Sequence, residues 1–236
     1  MLRAWGKGSI TMVQERARSD RLLIGNKRYS SWSLRGWLAV RMAALEVEEV
    51  VIPLRGGGGV TPAVLAATPS GTVPVLEHDG ARIWESAAIC EYCAERTPGL
   101  WPAERAARAH ARSLAGEMHA GFRGLRSAMF FNAGREFAGA GRTSEALADI
   151  ARIEAAWAEA LDAHGGPFLF GRAFTLADAM FAPVAGRFLT WRPEIAARSQ
   201  AYVDAVRAHP LVERWYAEAL AEPDAWRVPA YETATR

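Results

Sequence analysis

The chain has 236 residues, half of them hydrophobic, and its 28 basic and 26 acidic side chains leave a formal charge of +2. That near balance, with Lys and Arg interleaved with Glu, excludes the electrostatic footprint of a nucleic-acid binder. No apolar run is long enough to span a bilayer and the N-terminus lacks the apolar core of a secretory signal, so a cytoplasmic protein is expected, large enough for two packed units.

Residues 1–20 mix Gly, Ser, Arg and Gln without a period, the composition of a disordered extension, and Met12 offers a second start. Leu22-Leu23-Ile24 then reads as a short buried strand, and residues 26–30 as a polar loop. Residues 33–45 read as a helix with Leu34, Trp37, Leu38 and Met42 on one side, and residues 47–54 as a second strand. Such an opening pairs its strands in parallel through a right-handed crossover. Residues 55–59 are a glycine run without the Lys-Ser/Thr ending of a phosphate loop, followed by a short helix over 61–67.

The stretch over 69–92 carries most of the information. Proline has no N–H and fixes its own φ, so Pro74 at a strand entrance marks an edge or supports a tight bend, with a cis bond open to Val73-Pro74. Val73 is then left with an N–H and a C=O that need a partner. Val73, Val75 and Leu76 form a buried strand, His78-Asp79-Gly80 carries the hairpin signal, and residues 81–84 return antiparallel. Glu85-Ser86 opens an apolar-periodic run, which puts Ser86 near a helix N-terminus, where free N–H groups favour a carboxylate.

Thr97-Pro98-Gly99-Leu100-Trp101-Pro102 is rich in helix breakers and marks a linker over 98–103. Beyond it the chain reads as helical, in segments over 103–138, 143–164, 175–189, 199–208 and 211–221. Thr175 and Asp178 have the spacing of a capping box, each worth roughly 1 kcal/mol to stability. The five His residues lack i, i+4 pairing or accompanying Cys, so no metal site is expected. Cys90 and Cys93 have redox spacing but lie inside the helix begun by Ser86, where buried, inert thiols are the better reading.

Pro69-Ser70-Gly71-Thr72-Val73-Pro74-Val75-Leu76 and Glu85-Ser86-Ala87-Ala88-Ile89 resemble the soluble glutathione transferases, whose pattern is P-x-G-x-V-P-x-L followed by E-S-x-A-I. The resemblance covers nearly the whole chain from Arg21. It implies an α/β plus all-α fold class, with a thioredoxin-like domain over 21–97 and an all-helical bundle domain over 104–236. It also implies glutathione as cosubstrate without a metal. The family's Val-Pro bond is cis and the residue before it hydrogen-bonds the cysteinyl backbone. Val73 would take that role, with Thr72 and Pro74 beside it, while Ser86 holds the γ-glutamyl carboxylate and Glu85 lies near its ammonium. The family's S/T-x-x-D box opens a buried central helix and supports folding.

Tyr29-Ser30-Ser31-Trp32-Ser33-Leu34-Arg35 resembles the start of the first helix in the Ser-type members, closest to the zeta class, where the motif begins Ser-Ser-Cys-Ser. Trp32 stands where that motif has its cysteine. By this likeness Ser30, with Ser31 next to it, holds the sulfur of glutathione. A thiol of ordinary pKa ~8.5 would be lowered by one or two units there. The acceptor pocket of the family implies Trp32, Met118 and Phe122 as lining, with Met129, Phe130 and Phe131 as further candidates and Arg123 and Arg126 as a source of positive charge. The expected function is a homodimeric detoxification-type transferase that activates the glutathione thiol for attack on an electrophilic small molecule. The alternatives are a zeta-like cis-trans isomerase and a non-catalytic glutathione-binding or regulatory protein.

Overall fold

A computed structural model describes residues 20–54, 61–68 and 70–234. The expected extension over 1–19, the glycine run and Pro69 lie outside the described residues. Asp20, expected to belong to the extension, is already part of the fold: its carbonyl accepts the Glu48 N–H at 2.9 Å, and its carboxylate accepts the Asp79 N–H at 2.9 Å.

The sheet contains β1 (Arg21–Gly25), β2 (Glu48–Ile52), β3 (Val75–His78) and β4 (Ala81–Trp84), in the spatial order β2-β1-β3-β4. β1 runs parallel to β2 and antiparallel to β3, and β3 is antiparallel to β4. Asp79 and Gly80 both have positive φ, 52° and 76°, the two-residue turn that the Asp-Gly pair predicts. Alternation along the strands divides the core. Leu22, Ile24 and Leu76 face α1 (Ser31–Met42) and α3 (Ser86–Arg96), whereas Leu23 and Val75 pack with Val64 of α2 (Pro62–Ala67). Thr61 caps α2, its hydroxyl accepting the Val64 N–H at 3.2 Å.

From Arg105 onward the chain forms α4 (Arg105–Ala120), α5 (Arg123–Ala128), α6 (Ser144–His164), α7 (Leu176–Trp191), α8 (Ala197–Arg207) and α9 (Pro210–Leu220). One hydrophobic core runs from the helix-facing side of the sheet into this bundle, with α7 buried almost all round and packed on both α1 and α4. The continuous helix expected over 103–138 is broken. Gly121 ends α4, Phe122 adopts the left-handed region at φ 60°, and α5 has only six residues. The chain from 129 to 143 is not helical because its polar groups bond elsewhere. The Ala133 N–H donates to the Arg28 carbonyl at 2.9 Å, and the Phe137 N–H to the Thr190 carbonyl at 2.6 Å.

The Thr175–Asp178 box forms and reaches further than its spacing implies. The fully buried Asp178 carboxylate accepts the Thr175 N–H (2.8 Å) and hydroxyl (2.9 Å), the Leu169 N–H (3.0 Å) and the Tyr202 hydroxyl (3.2 Å). Burial pushes the Asp178 carboxyl above its ordinary value, and these donors work against that shift.

The loop over 26–30 is polar, as expected, but it is buried under the C-terminal tail. The Glu222 carboxylate accepts the N–H groups of Lys27 and Arg28, at 2.5 and 3.2 Å. The Tyr29 hydroxyl donates to Glu232 at 2.6 Å and accepts the Val228 N–H at 3.2 Å, and its ring stacks on Tyr231 with centroids 5.5 Å apart. The Lys27 ammonium is paired with Glu49 of β2 and Glu218 of α9, with the rings of Trp37 and Trp215 beside it, so one side chain ties sheet to bundle.

Candidate functional site

The hairpin and α3 build one wall. The Val73–Pro74 peptide bond is cis, and strand pairing on β3 begins at Val75, so Val73 and Pro74 stand beyond the ladder. α1 can approach them because Gly36 lacks a side chain: a Cβ there would lie 2.7 Å from the Pro74 ring. After β4 the backbone turns sharply through Glu85, whose φ of 68° is uncommon for a residue with a side chain. Ser86 follows as the first residue of α3. Its hydroxyl is buried without a hydrogen-bond partner, and the first turn of α3 contains no acidic residue. A helix start with free N–H groups and a free hydroxyl is a receptor for a carboxylate.

The start of α1 forms the opposite side. Ser30 is its N-cap: the hydroxyl oxygen accepts the Ser33 N–H at 3.2 Å, while the hydroxyl donates to Ser33 Oγ at 2.7 Å. Ser33 Oγ in turn accepts the Gly25 N–H at 2.9 Å. Ser31 is less engaged. Its Oγ accepts from Arg187 at 3.3 Å, which leaves the hydroxyl proton free to donate. Trp32 projects to the cavity and is flanked by charge, with the guanidinium carbons of Arg35 and Arg126 each 4.6 Å from its ring centroid. The His119 ring meets it edge-on at 5.2 Å, and His119 Nε2 lies 3.6 Å from the Glu85 carboxylate. Burial lowers the His119 pKa, which favours the neutral ring.

Between these walls is a cavity of about 240 Å³ lined by Trp32, Thr72, Val73, Pro74, Glu85 and Ser86. Six residues singled out from the sequence thus meet in one place. Ser30 and Ser31 lie at the start of the same helix but do not line that cavity. Met118 is fully buried and Phe122 nearly so, and both belong to the hydrophobic core and not to the lining. Their apolar periodicity reflects packing, which a helical sequence pattern does not distinguish from a cleft. A larger cavity of about 690 Å³, with Arg123, Ser127, Phe130, Arg142, Thr143 and Trp191 in its lining, shares no residue with this one. Among the described residues none of its lining side chains is a buried polar group without a partner, so the chemistry points to the smaller cavity.

Arg35 and Arg187 were not legible as site residues. A lone Arg in a helical run carries no signal: Arg35 meets Trp32 three residues earlier on α1, and Arg187 meets Ser31 only through the packing of α7 on α1. Cys90 and Cys93 are buried in α3, and burial pushes the Cys93 thiol up to about 12, against reactivity. Among the described residues no group of three or more His, Cys, Asp or Glu is arranged to hold a metal ion, and no helix is long and apolar enough to cross a membrane.

Residues 29–96 match the family described as Glutathione S-transferase, N-terminal domain, and residues 105–218 match Glutathione S-transferase, C-terminal domain. A maleylacetoacetate isomerase from Rhizobium meliloti (strain 1021) is 38% identical over 87 residues, a stretch that spans 36% of this chain and 41% of that protein. Among solved structures, a glutathione transferase homologue from Burkholderia GL BGR1 with bound glutathione superposes with a TM-score of 0.67 at 21% identity, over 87% of this chain and all of that one. A maleylacetoacetate isomerase from Anaeromyxobacter dehalogenans 2CP-1, with bound dicarboxyethyl glutathione and citrate, gives 0.61 at 26% identity over 92% of this chain and 98% of its own.

Proposed function

Because the chain belongs to the glutathione S-transferase family through both of its domains, we propose that it binds glutathione at the hairpin–α3 wall and uses its thiol to attack an electrophilic small molecule. The observation that carries this reading is the cavity over Val73, Pro74, Glu85 and Ser86, with a buried Ser86 hydroxyl that has no partner among the described residues. A carboxylate on Ser86 and the first N–H groups of α3 satisfies that donor, and Glu85 stands beside it for an ammonium group. The γ-glutamyl end of glutathione carries that pair of charges. A backbone segment of the ligand beside Val73 pairs with it as a short added strand.

The thiol is then directed toward the start of α1. A serine hydroxyl donates to the sulfur and holds it as thiolate, and the displaced proton leaves to solvent. The thiolate attacks the electrophilic carbon, a C–S bond forms, and the leaving group departs with its electron pair. Ser30 takes the role that its place in the motif implies by turning its proton from Ser33 Oγ to the sulfur, and Ser31, whose oxygen accepts from Arg187 and whose proton is free, is the second candidate.

Calorimetric titration with glutathione tests the binding, and thiolate absorbance tests the serines. Wild type is expected to bind, and loss of the depressed thiol pKa in Ser30→Ala or in Ser31→Ala assigns the donor. Wild type that fails to bind glutathione ends this reading. A second reading, cis-trans isomerisation of a maleyl-type double bond with glutathione regenerated, is supported by the likeness to two maleylacetoacetate isomerases. The replacement of the zeta motif's cysteine by Trp32 argues against it. Conversion of a cis-maleyl compound to its trans isomer without consumption of glutathione separates the two.

A further inference from the structure

Three helices bring arginines to Trp32 and Ser31, and the balance is one-sided. Arg35 of α1 is fully buried, with Nε donating to the Met180 carbonyl at 2.8 Å and both terminal nitrogens unpartnered. Arg126 of α5 donates from Nε to the Gly121 carbonyl at 3.0 Å and from one terminal nitrogen to the Met118 carbonyl, while its other terminal nitrogen is unpartnered. Arg187 of α7 donates to the carbonyls of Met129 and Pro183, at 2.8 and 3.2 Å, and to Ser31. Every acceptor is a carbonyl or a hydroxyl.

The surrounding groups do not neutralise these cations. Asp149 of α6 attracts Arg126 but its carboxylate receives the Leu125 N–H at 2.9 Å, and Glu85 faces His119 of α4. Cys90 of α3, near Arg35, stays a thiol because burial pushes its pKa up. Burial lowers Arg126 to about 10, and burial together with Arg126 lowers Arg187 to about 9. Burial and the other two arginines lower Arg35 as well. A guanidinium nevertheless keeps its proton at neutral pH.

Arg35 and Arg187 are buried and Arg126 is half-buried, and among the described residues none of the three forms an ion pair with a carboxylate; cations held in this way are unfavourable in the free protein and favourable to any anion placed against them. Arg35 and Arg126 reach the cavity only through the Trp32 ring, and Arg35 is inaccessible to a ligand, so they act by field and not by contact. We propose that Arg35, Arg126 and Arg187 form an electropositive pad behind Trp32 and Ser31 that stabilises the thiolate of glutathione bound in the cavity. The inference rests on the glutathione reading above. The three arginines are positioning residues for charge. The thiol ionises by releasing its proton to solvent, and the pad shifts that equilibrium without a base. One such cation is worth about one unit of thiol pKa, or a tenfold change in the thiolate-to-thiol ratio, with little screening by salt.

The test compares wild type, Arg126→Met and Arg126→Lys by thiolate absorbance titration of the glutathione-saturated full chain, and by calorimetry with glutathione and S-methylglutathione. Arg126→Met is expected to raise the bound thiol pKa by about one unit. At pH 8 it should weaken glutathione several-fold relative to S-methylglutathione, and Arg126→Lys should restore both. Should Arg126→Met fail to fold, Arg126→Gln, which keeps N–H groups for the Gly121 and Met118 carbonyls, carries the same test. Equal thiol pKa in wild type and the charge-free variant overturns this inference alone, as does equal weakening of both ligands. Wild type that binds no glutathione overturns the proposed function and the pad together.

Discussion

At the start of α7 the chain supplies its own carboxylate; at the start of α3 it does not. Asp178 takes up two N–H groups and two hydroxyls, so that the helix start is closed on itself. Ser86 occupies an equally buried helix start with no acid in the first turn and no partner for its hydroxyl. Both begin with a small hydroxyl residue at or beside the cap. What separates a structural helix start from a receptor is whether the donors are already satisfied from within.

The largest expected effect breaks the closed end. Asp178→Ala leaves the Leu169 and Thr175 N–H groups and the Tyr202 hydroxyl without their acceptor, and should cost about 3 kcal/mol in denaturant unfolding. That exceeds the roughly 1 kcal/mol expected of a surface capping box. Asp178 also has a pH signature. Its folded value is raised by burial above that of the unfolded chain, so its contribution is complete below the ordinary Asp range near about pH 3.9 and is lost as pH rises through the raised value. A pH series of unfolding midpoints should show that decline in wild type and not in Asp178→Asn.

The open end should respond in the reverse manner. Ser86→Ala should leave stability within about 0.5 kcal/mol of wild type and weaken glutathione about tenfold by calorimetry, the value of one hydrogen bond to a charged group. The smallest effect sharpens the comparison by giving α3 what α7 has. Ala88 occupies the third position of α3, as Asp178 does in α7, and it is exposed. Ala88→Asp should add about 0.5 kcal/mol to stability through the helix dipole while it lowers glutathione affinity. Greater stability with unchanged affinity would mean that the free end of α3 is not where the ligand's carboxylate lies.

What was legible in the sequence follows the same division. The hairpin turn at Asp79-Gly80, the proline at the strand entrance, the Ser86 helix start and the Thr175 box are local patterns whose meaning lies within a few residues, and the structure contains them all. The end of α4 at Gly121 was missed because the alanine-rich periodicity continues past it. The glycine alone does not reveal that residues 129–143 bond to the loop over 26–30 and to α7. The arginines behind Trp32 come from α1, α5 and α7, and their convergence depends on helix packing that no spacing encodes. Phe122 and Met118 show the converse, since an apolar stripe has the same appearance whether it faces a cleft or a core.

The clasp between Tyr29 and Glu232 changes how the last dozen residues should be treated at the bench. Tyr29 adjoins Ser30, and the tail that holds it by hydroxyl, ring stacking and the Val228 N–H acts as a splint for the start of α1, where the proposed function has the sulfur held. A truncation before Glu232, or an affinity tag that crowds it, would loosen that splint from outside the cavity. Lost activity in such a preparation would mimic a catalytic defect while every residue of the cavity remained intact.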